Sequence, residues 1–278
     1  MKNKKSKIQS LMLRVAVYLS ASLTVGILLA LVIYILIKGV PNISWNLFSI
    51  EYSSENVSLF PALVNTIRMT MISLLIAVPI GIFSAIYLVE YAKRGNKIVS
   101  VIRITAETLS GIPSIVYGLF GFLLFVITLG LGYSLLAGAL TLAIMVLPVV
   151  MRTTEEALMS VPDSYREGSL GLGAGKLRTI FKVVLPSAIP GILAGIILSI
   201  GRIVGETAAL IYTAGTVAHI PSSLLGSGRT LSVHLYALWT EGLNAKQSYA
   251  TAVVLLVIVI GLNTLSSSVA KKLGKGKI

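Results

Sequence analysis

The chain has no cysteine and only two histidines in 278 residues. Disulfide bonds and thiolate metal sites are therefore excluded, and cysteine usage says nothing about the redox compartment. Charge is nearly as scarce: 12% of residues are charged against 55% hydrophobic, far too apolar a balance for a soluble domain of this size. Catalytic constellations are missing as well. Ser114, after Gly111-Ile112-Pro113, has no His or Asp arranged to activate it, and His219 and His234 stand 15 positions apart without a carboxylate at ligand spacing. Both imidazoles read as satisfied or solvated groups, and no catalytic residue, cofactor or metal is expected. No repeat with a period of about 20–50 residues and no low-complexity segment divides the chain, which reads as one domain.

Long charge-free runs are what the chain has instead. A helix needs about 20 apolar residues to cross the hydrocarbon core of a bilayer. Residues 15–37 form the first such run, too long for a signal-peptide core and without a convincing cleavage site, so it reads as an uncleaved helix. Residues 69–89 form the second, with Pro79 and Gly81 predicted to kink it. Between 108 and 151 lie 44 residues without a charge, enough for two helices that turn at 130–133. Residues 187 to about 212 make a fifth span, interrupted by Arg202 and Glu206, and 248–270 make a sixth. The expectation is an all-α, polytopic protein with six transmembrane helices in the lipid bilayer of the cell membrane. Gly191 with Gly195, and Gly201 with Gly205, repeat the spacing of small residues that lets helices approach closely in lipid, so both pairs read as packing sites.

The net charge is +13, which in a soluble chain would point to nucleic acid. Its distribution excludes that partner. Eighteen Lys and Arg fall in four segments that the spans place on one side, whereas the opposite face has only Lys38, Arg68, Arg229 and Lys246. Short basic loops stay in the cytoplasm. Both termini and the loop around Glu167 are therefore expected to be cytoplasmic. Glu90 and Glu107, at the ends of their spans, have basic neighbours Lys93, Arg94 and Arg103, and exposed pairing is the reading for both.

The one long polar insertion in the second half of the chain is 152–186. Within it, Glu167-Gly168-Ser169 is followed by Gly173 and then by Leu185-Pro186, which gives the pattern E-[AG]-[AS]-x3-G-x9-[IV]-x-L-P. Asp163 is placed to cap a helix that the glycines at 171, 173 and 175 would end, leaving a short helix and an elbow with Gly173 free to adopt positive φ. On these residues the chain resembles the permease subunits of ATP-binding-cassette importers, whose cytoplasmic loop carries that pattern on a helix gripped by the ATPase. The resemblance implies the type I, MetI-like permease fold and a coupling role for Glu167, Gly168, Ser169, Gly173, Leu185 and Pro186. Gly171 to Leu177 imitates a phosphate-binding loop but has three residues between its glycines where four are needed, and no hydroxyl after Lys176. ATP hydrolysis is accordingly expected on another chain.

Arg202 and Glu206 lie inside a span, where an isolated charge costs at least about 2.5–3.5 kcal/mol. Spaced i and i+4, they can face each other as a neutral structural pair, or they can line a path on which Arg202 attracts an anion. The segment Gly201-Arg202-x-x-Gly205-Glu206-Thr207-Ala208, with Leu231-Ser-Val-His234 and Tyr249-Ala-Thr-Ala further on, resembles the phosphate-specific permeases of the PstA type. That resemblance implies a substrate path through Arg202, Glu206 and Thr207. It also implies a PstC-like permease partner, two PstB-like ATPase subunits and a PstS-like extracytoplasmic phosphate-binding protein. By the same resemblance, 58–278 is the transporter domain with its core at 58–270, and 1–57 is an N-terminal extension of tail, helix and loop. The alternative within transport is another oxyanion or small solute, such as molybdate, sulfate or phosphonate. An intramembrane enzyme or a scaffold finds no supporting residues.

The charge asymmetry generates a direct topology test. Cysteines placed at Lys5, Gly173 and Lys277 should resist a membrane-impermeant thiol reagent in intact cells and react once the membrane is permeabilised. Labelling at any of the three in intact cells contradicts the orientation.

Overall fold

The computed structural model describes residues 4–275 apart from Arg94 and Leu243, so Lys277 and the outermost residues of both termini lie outside the described residues. Helices make up its regular structure, and no strand occurs among the described residues. The first, α1 (Lys4–Gly39), has a basic start and is apolar on all sides over its membrane-spanning stretch, which is exposed within this chain. A helix of that composition is stable where its surroundings are hydrocarbon. It touches the body along the last helix, α11 (Ala245–Lys275), where the Tyr34 and Tyr249 hydroxyls are 3.2 Å apart. The loop after α1 then lays Leu47 into an apolar cluster with Leu59, Ala62, Leu231 and Ala250.

The core is built on α2 (Phe60–Ile86) and α5 (Leu135–Met159), the most extensively packed pair in the chain. Met69, Ala77, Leu135, Leu142 and Met145 interlock there, and Ser73 Oγ donates to the Met69 and Ala139 carbonyls at 2.8 and 3.0 Å. Pro79 lies inside α2, and Gly81 lets the Val150 side chain approach to contact. A π-helical turn, Tyr87–Tyr91, ends α2. The helix α8 (Leu185–Val204) packs on α5 and α11 to complete the body.

Two spans depart from expectation. The charge-free run beginning at 108 starts at the end of a separate amphipathic helix, α3 (Lys97–Ser110), which Asn96 caps by accepting from Ile98 N at 2.9 Å. After the Gly111-Ile112-Pro113 turn the chain re-enters as α4 (Ser114–Gly121), prolonged by a π-helical segment to Thr128, at 103° to α3. Proline has no N–H to donate and disfavours helical geometry in the residue before it, so the bend falls there although the apolar pattern continues. Among the described residues five helices are long and apolar enough to cross singly, and there are six if the bent pair is one span. The second departure is the fifth span. It ends at Val204 rather than near 212; Gly205-Glu206-Thr207 is a break, and the short α9 (Ala208–Thr213) starts beyond it. The turn expected at 130–133 is present, with φ of +66° at Gly130 and +63° at Gly132.

The small-residue pairs divide in the same place. A Cβ on Gly191 would lie 2.6 Å from Ala157 Cβ, and one on Gly195 would lie 2.6 Å from Thr153 Cβ, so this pair seats α8 on α5. Gly201 has nothing nearer than Asn263 Oδ1 at 4.0 Å, and Gly205 meets only the Gly201 carbonyl. The second pair therefore does not pack helices within this chain. Gly195→Ala should destabilise the purified protein by about 1–3 kcal/mol through overpacking, whereas Gly201→Ala should change stability by no more than about 0.5 kcal/mol. Denaturant unfolding in detergent reads the difference, and equal effects at the two sites would contradict this packing assignment.

Candidate functional site

The polar insertion folds as a knob on two short helices, α6 (Asp163–Gly171) and α7 (Lys176–Thr179). No residue of α6 is buried in this chain. Its end is a Schellman cap: Gly173 at φ +84° donates to the Leu170 carbonyl at 2.9 Å and Ala174 N donates to Ser169 O at 3.1 Å. Glycine is required there because that backbone conformation is strained for other residues. Glu167, Gly168 and Gly173 are exposed, beside exposed apolar Tyr165, Leu170 and Leu172, the last 92% exposed. Ser169 is half-buried and meets Thr179 Oγ1 at 2.9 Å, while Leu185 and Pro186 lie apart from the tip at the root of α8. Asp163 is the first residue of α6 and makes no side-chain cap; its carboxylate accepts from Arg166 instead.

Arg166 anchors the knob. Its Nε and Nη2 donate to Glu90 Oε1 at 3.0 and 2.8 Å, Nη2 also to Leu158 O at 2.9 Å, and Nη1 to Val161 O at 2.7 Å and to Asp163 Oδ1 at 3.2 Å. One guanidinium thus joins the end of α2, the end of α5 and the start of α6. Lys176 Nζ adds a second tie, 4.8 Å from the centre of the Tyr91 ring in the same terminal turn of α2. Beside these links a cavity of about 930 Å³ opens between α3 and the knob, lined in part by Glu90, Lys93, Arg103 and Arg166. The root of the knob is packed, with Leu88, Leu158, Val161, Ile180 and Val184 in one buried apolar cluster, while α6 itself is held by the polar ties. The exposed pairing expected for the two glutamates holds for Glu107, though with Arg152 as its partner, and is corrected for Glu90. Glu90 is 9% exposed at its side chain and bound to a residue 76 positions away, Glu107 approaches Arg152 at 3.6 Å, and Arg103 pairs with Glu155. Arg94 lies outside the described residues.

The intramembrane residues are arranged by the break in the fifth span. Arg202 is half-buried in the last turn of α8, where the helix carbonyls favour a cation. It forms no ion pair among the described residues, and the Tyr117 phenol of α4 is within its electrostatic reach. Glu206 is 8% exposed and belongs to the break: its Oε1 accepts from Ala209 N at 3.0 Å at the start of α9, and its carbonyl accepts from Ser232 Oγ. The two charges are therefore not neighbours on one continuous helix, and the neutral pair allowed by their spacing is not formed. Thr207 is half-buried in the same break, with Oγ1 3.5 Å from Gly205 O. Gly118 of α4 lets Ala209 approach closely, since a Cβ there would lie 2.8 Å from Ala209 Cα.

His234 also differs from expectation, being completely buried with neither ring nitrogen hydrogen-bonded, while His219 is exposed. Sequence reasoning missed Arg166 and Glu90 as partners because nothing local joins positions 76 apart; the only signal was a carboxylate at the end of an apolar run.

Residues 77–277 match the family of binding-protein-dependent transport system inner membrane components. The chain is 38% identical over 240 residues to the probable ABC transporter permease protein YqgI of Bacillus subtilis, covering 81% of each protein. It is 39% identical over 209 residues to phosphate transport system permease protein PstA 1 of Mycobacterium tuberculosis, covering 73% of this chain and 67% of that one. Among solved structures, a bacterial alginate ABC transporter in complex with its periplasmic protein superposes over the whole of both chains with TM-score 0.71 at 14% identity. The MetNI methionine transporter gives 0.60 at 20% identity over 77% of this chain and 94% of that one. At these identities the two structures establish a shared fold.

The Arg166 anchor is testable without any transport assay. Glu90→Ala and Arg166→Ala should each speed amide hydrogen exchange across 163–171 by about tenfold or more, and the double variant should add little to either single one. Unchanged exchange in the single variants would show that packing alone holds the knob.

Proposed function

Because the chain belongs to the family of binding-protein-dependent transport system inner membrane components, we propose that it is the permease subunit of an ATP-binding-cassette importer for inorganic phosphate, forming half of the translocation pathway. Phosphate is supported by relatives named as phosphate transport system permeases at 34–39% identity. The observation that carries the reading is Arg202, a half-buried guanidinium in a membrane helix with no ion-pair partner among the described residues. Such a group is costly unless it faces a partner, a water-filled cavity or an anion, and by default it marks a substrate path. A permease is a transport component and not an enzyme; ATP is hydrolysed by a partner.

The assembly we infer contains a PstC-like permease, two PstB-like ATPase subunits and a PstS-like extracytoplasmic binding protein, with 58–270 as the transporter core and 1–57 as an extension. The protein is a multi-pass component of the cell membrane, and the basic residues support termini and knob on the cytoplasmic side. The ATPase encloses the tip formed by Glu167, Gly168 and Gly173. Movement of the tip passes through Arg166 to α2 and through Leu185 and Pro186 to α8, and opens the path alternately to each side. Arg202 attracts the oxyanion, and Glu206 and Thr207 hold the break that presents it. An unpaired guanidinium also suits molybdate, sulfate or a phosphonate, which keeps another oxyanion as the alternative cargo.

Glu206 is inferred to act by capping α9, so the variants should separate. Arg202→Gln should abolish uptake of radiolabelled phosphate. Glu206→Gln, whose amide oxygen can still accept from Ala209 N, should impair uptake less than Glu206→Ala, which loses a cap worth about 0.5–2 kcal/mol. All three should copurify with the ATPase at the wild-type level. Near-normal uptake by Arg202→Gln would remove the anion-path assignment.

A further inference from the structure

Arg229 lies in the segment that leads into α10 (Leu231–Glu241), on the side of the molecule away from the knob. It is 4% exposed, yet its Nε and Nη2 are buried without a hydrogen-bond partner, and it forms no ion pair among the described residues. The guanidinium carbon is 4.8 Å from the centre of the Tyr52 ring, and the same ring stands edge-on to His234, centroids 6.1 Å apart at 90°. Both His234 nitrogens are buried and unpartnered too. Burial, with Arg229 nearby, pushes the His234 imidazole down to about 3, so it is neutral at any physiological pH and offers one N–H beside the fixed cation. Asn65 Oδ1, a further buried and unpartnered atom, gives the cluster an acceptor; the Asn65 amide donates to the Arg229 and His219 carbonyls.

A buried charge and two buried polar groups without partners are each costly, and one tetrahedral oxyanion would relieve the guanidinium and the imidazole N–H together. Inorganic phosphate at neutral pH also carries a proton that an amide oxygen can accept. The Tyr52 ring covers the guanidinium and also lines a cavity of about 700 Å³ with Glu51, Pro61, Val217 and His219. Entry to the pair requires that ring to move, since neither Arg229 nor His234 lines the cavity. The cluster is joined to the intramembrane signature by a short polar chain: Thr230 Oγ1 is 3.1 Å from Ser232 Oγ, and Ser232 Oγ donates to the Glu206 carbonyl.

We propose that Arg229 and His234 form a second oxyanion site behind Tyr52, an outer station that holds the anion before it reaches Arg202. The site rests on the phosphate-import reading above and deepens it. The same chemistry could be presented by a phosphate headgroup of a lipid, so the test distinguishes a free ion from a lipid.

The test is equilibrium binding of radiolabelled inorganic phosphate to the assembled transporter, without binding protein, in a background of Arg202→Gln. That background removes the inner cation, so transport failure and outer-site failure are read separately. The Arg202→Gln complex should still bind phosphate, and adding Arg229→Gln should weaken binding by about tenfold or more, the loss expected for one strong charge-assisted contact. Competition of bound phosphate by phosphatidic acid in detergent, with no phosphate bound in anionic nanodiscs, would support the site with a lipid headgroup as its occupant. If Arg229→Gln fails to assemble, Arg229→Lys carries the test, keeping the charge but losing the planar fork, with intermediate affinity expected. Equal phosphate affinity with and without the Arg229 substitution, or no binding by the Arg202→Gln complex under either lipid condition, overturns the proposal while leaving the uptake assignment to be judged on uptake alone.

Discussion

The Arg166 guanidinium is the contact on which the cytoplasmic half of the structure depends. It reaches Glu90, Asp163 and two main-chain carbonyls, and so ties α6 to the packed ends of α2 and α5. Hydrogen bonds to charged groups contribute about 1.5–3 kcal/mol each, more than the neutral hydroxyl contact between Ser169 and Thr179 can supply. With a cavity beside it and no buried residue on α6, that helix has little apolar contact of its own, whereas α7 leads into the buried cluster of Ile180 and Val184. The hold on α6 is therefore mainly electrostatic.

In the membrane half the organising constraint is the break at Gly205-Glu206-Thr207. A continuous helix would have placed Glu206 one turn from Arg202 and neutralised it. Ending α8 at Val204 instead leaves Arg202 at a helix C-terminus and commits the carboxylate to the first amides of α9. The charge that remains is positive and half-buried, the condition for attracting an anion without sealing it in. The knob and the break are joined by α8, whose glycines at 191 and 195 seat it on α5.

Much of this was legible in the residues. Charge-free runs locate the helices because hydrocarbon admits few charges, and the glycines at 130 and 132 mark their turn because they adopt positive φ. The knob was legible in the spacing from Glu167 to Pro186, and Gly173 in its Schellman cap meets that expectation. What stayed hidden has physical reasons. The 103° bend at Pro113 lies inside an apolar stretch, where hydropathy is blind to direction. The spacing of Arg202 and Glu206 presumes a helix that the chain ends at Val204. The Glu90 partner is distant in sequence, and the burial of His234 depends on Tyr52, which arrives from the N-terminal loop.

The central claim is that force passes from the knob to the membrane helices through Arg166, and its most direct test is the ratio of phosphate transported to ATP hydrolysed in proteoliposomes containing the complete transporter. For Glu90→Ala the account predicts that the ATPase stays bound and hydrolysis continues while phosphate moved per ATP falls severalfold. A ratio equal to that of the wild type, with normal assembly, would contradict it.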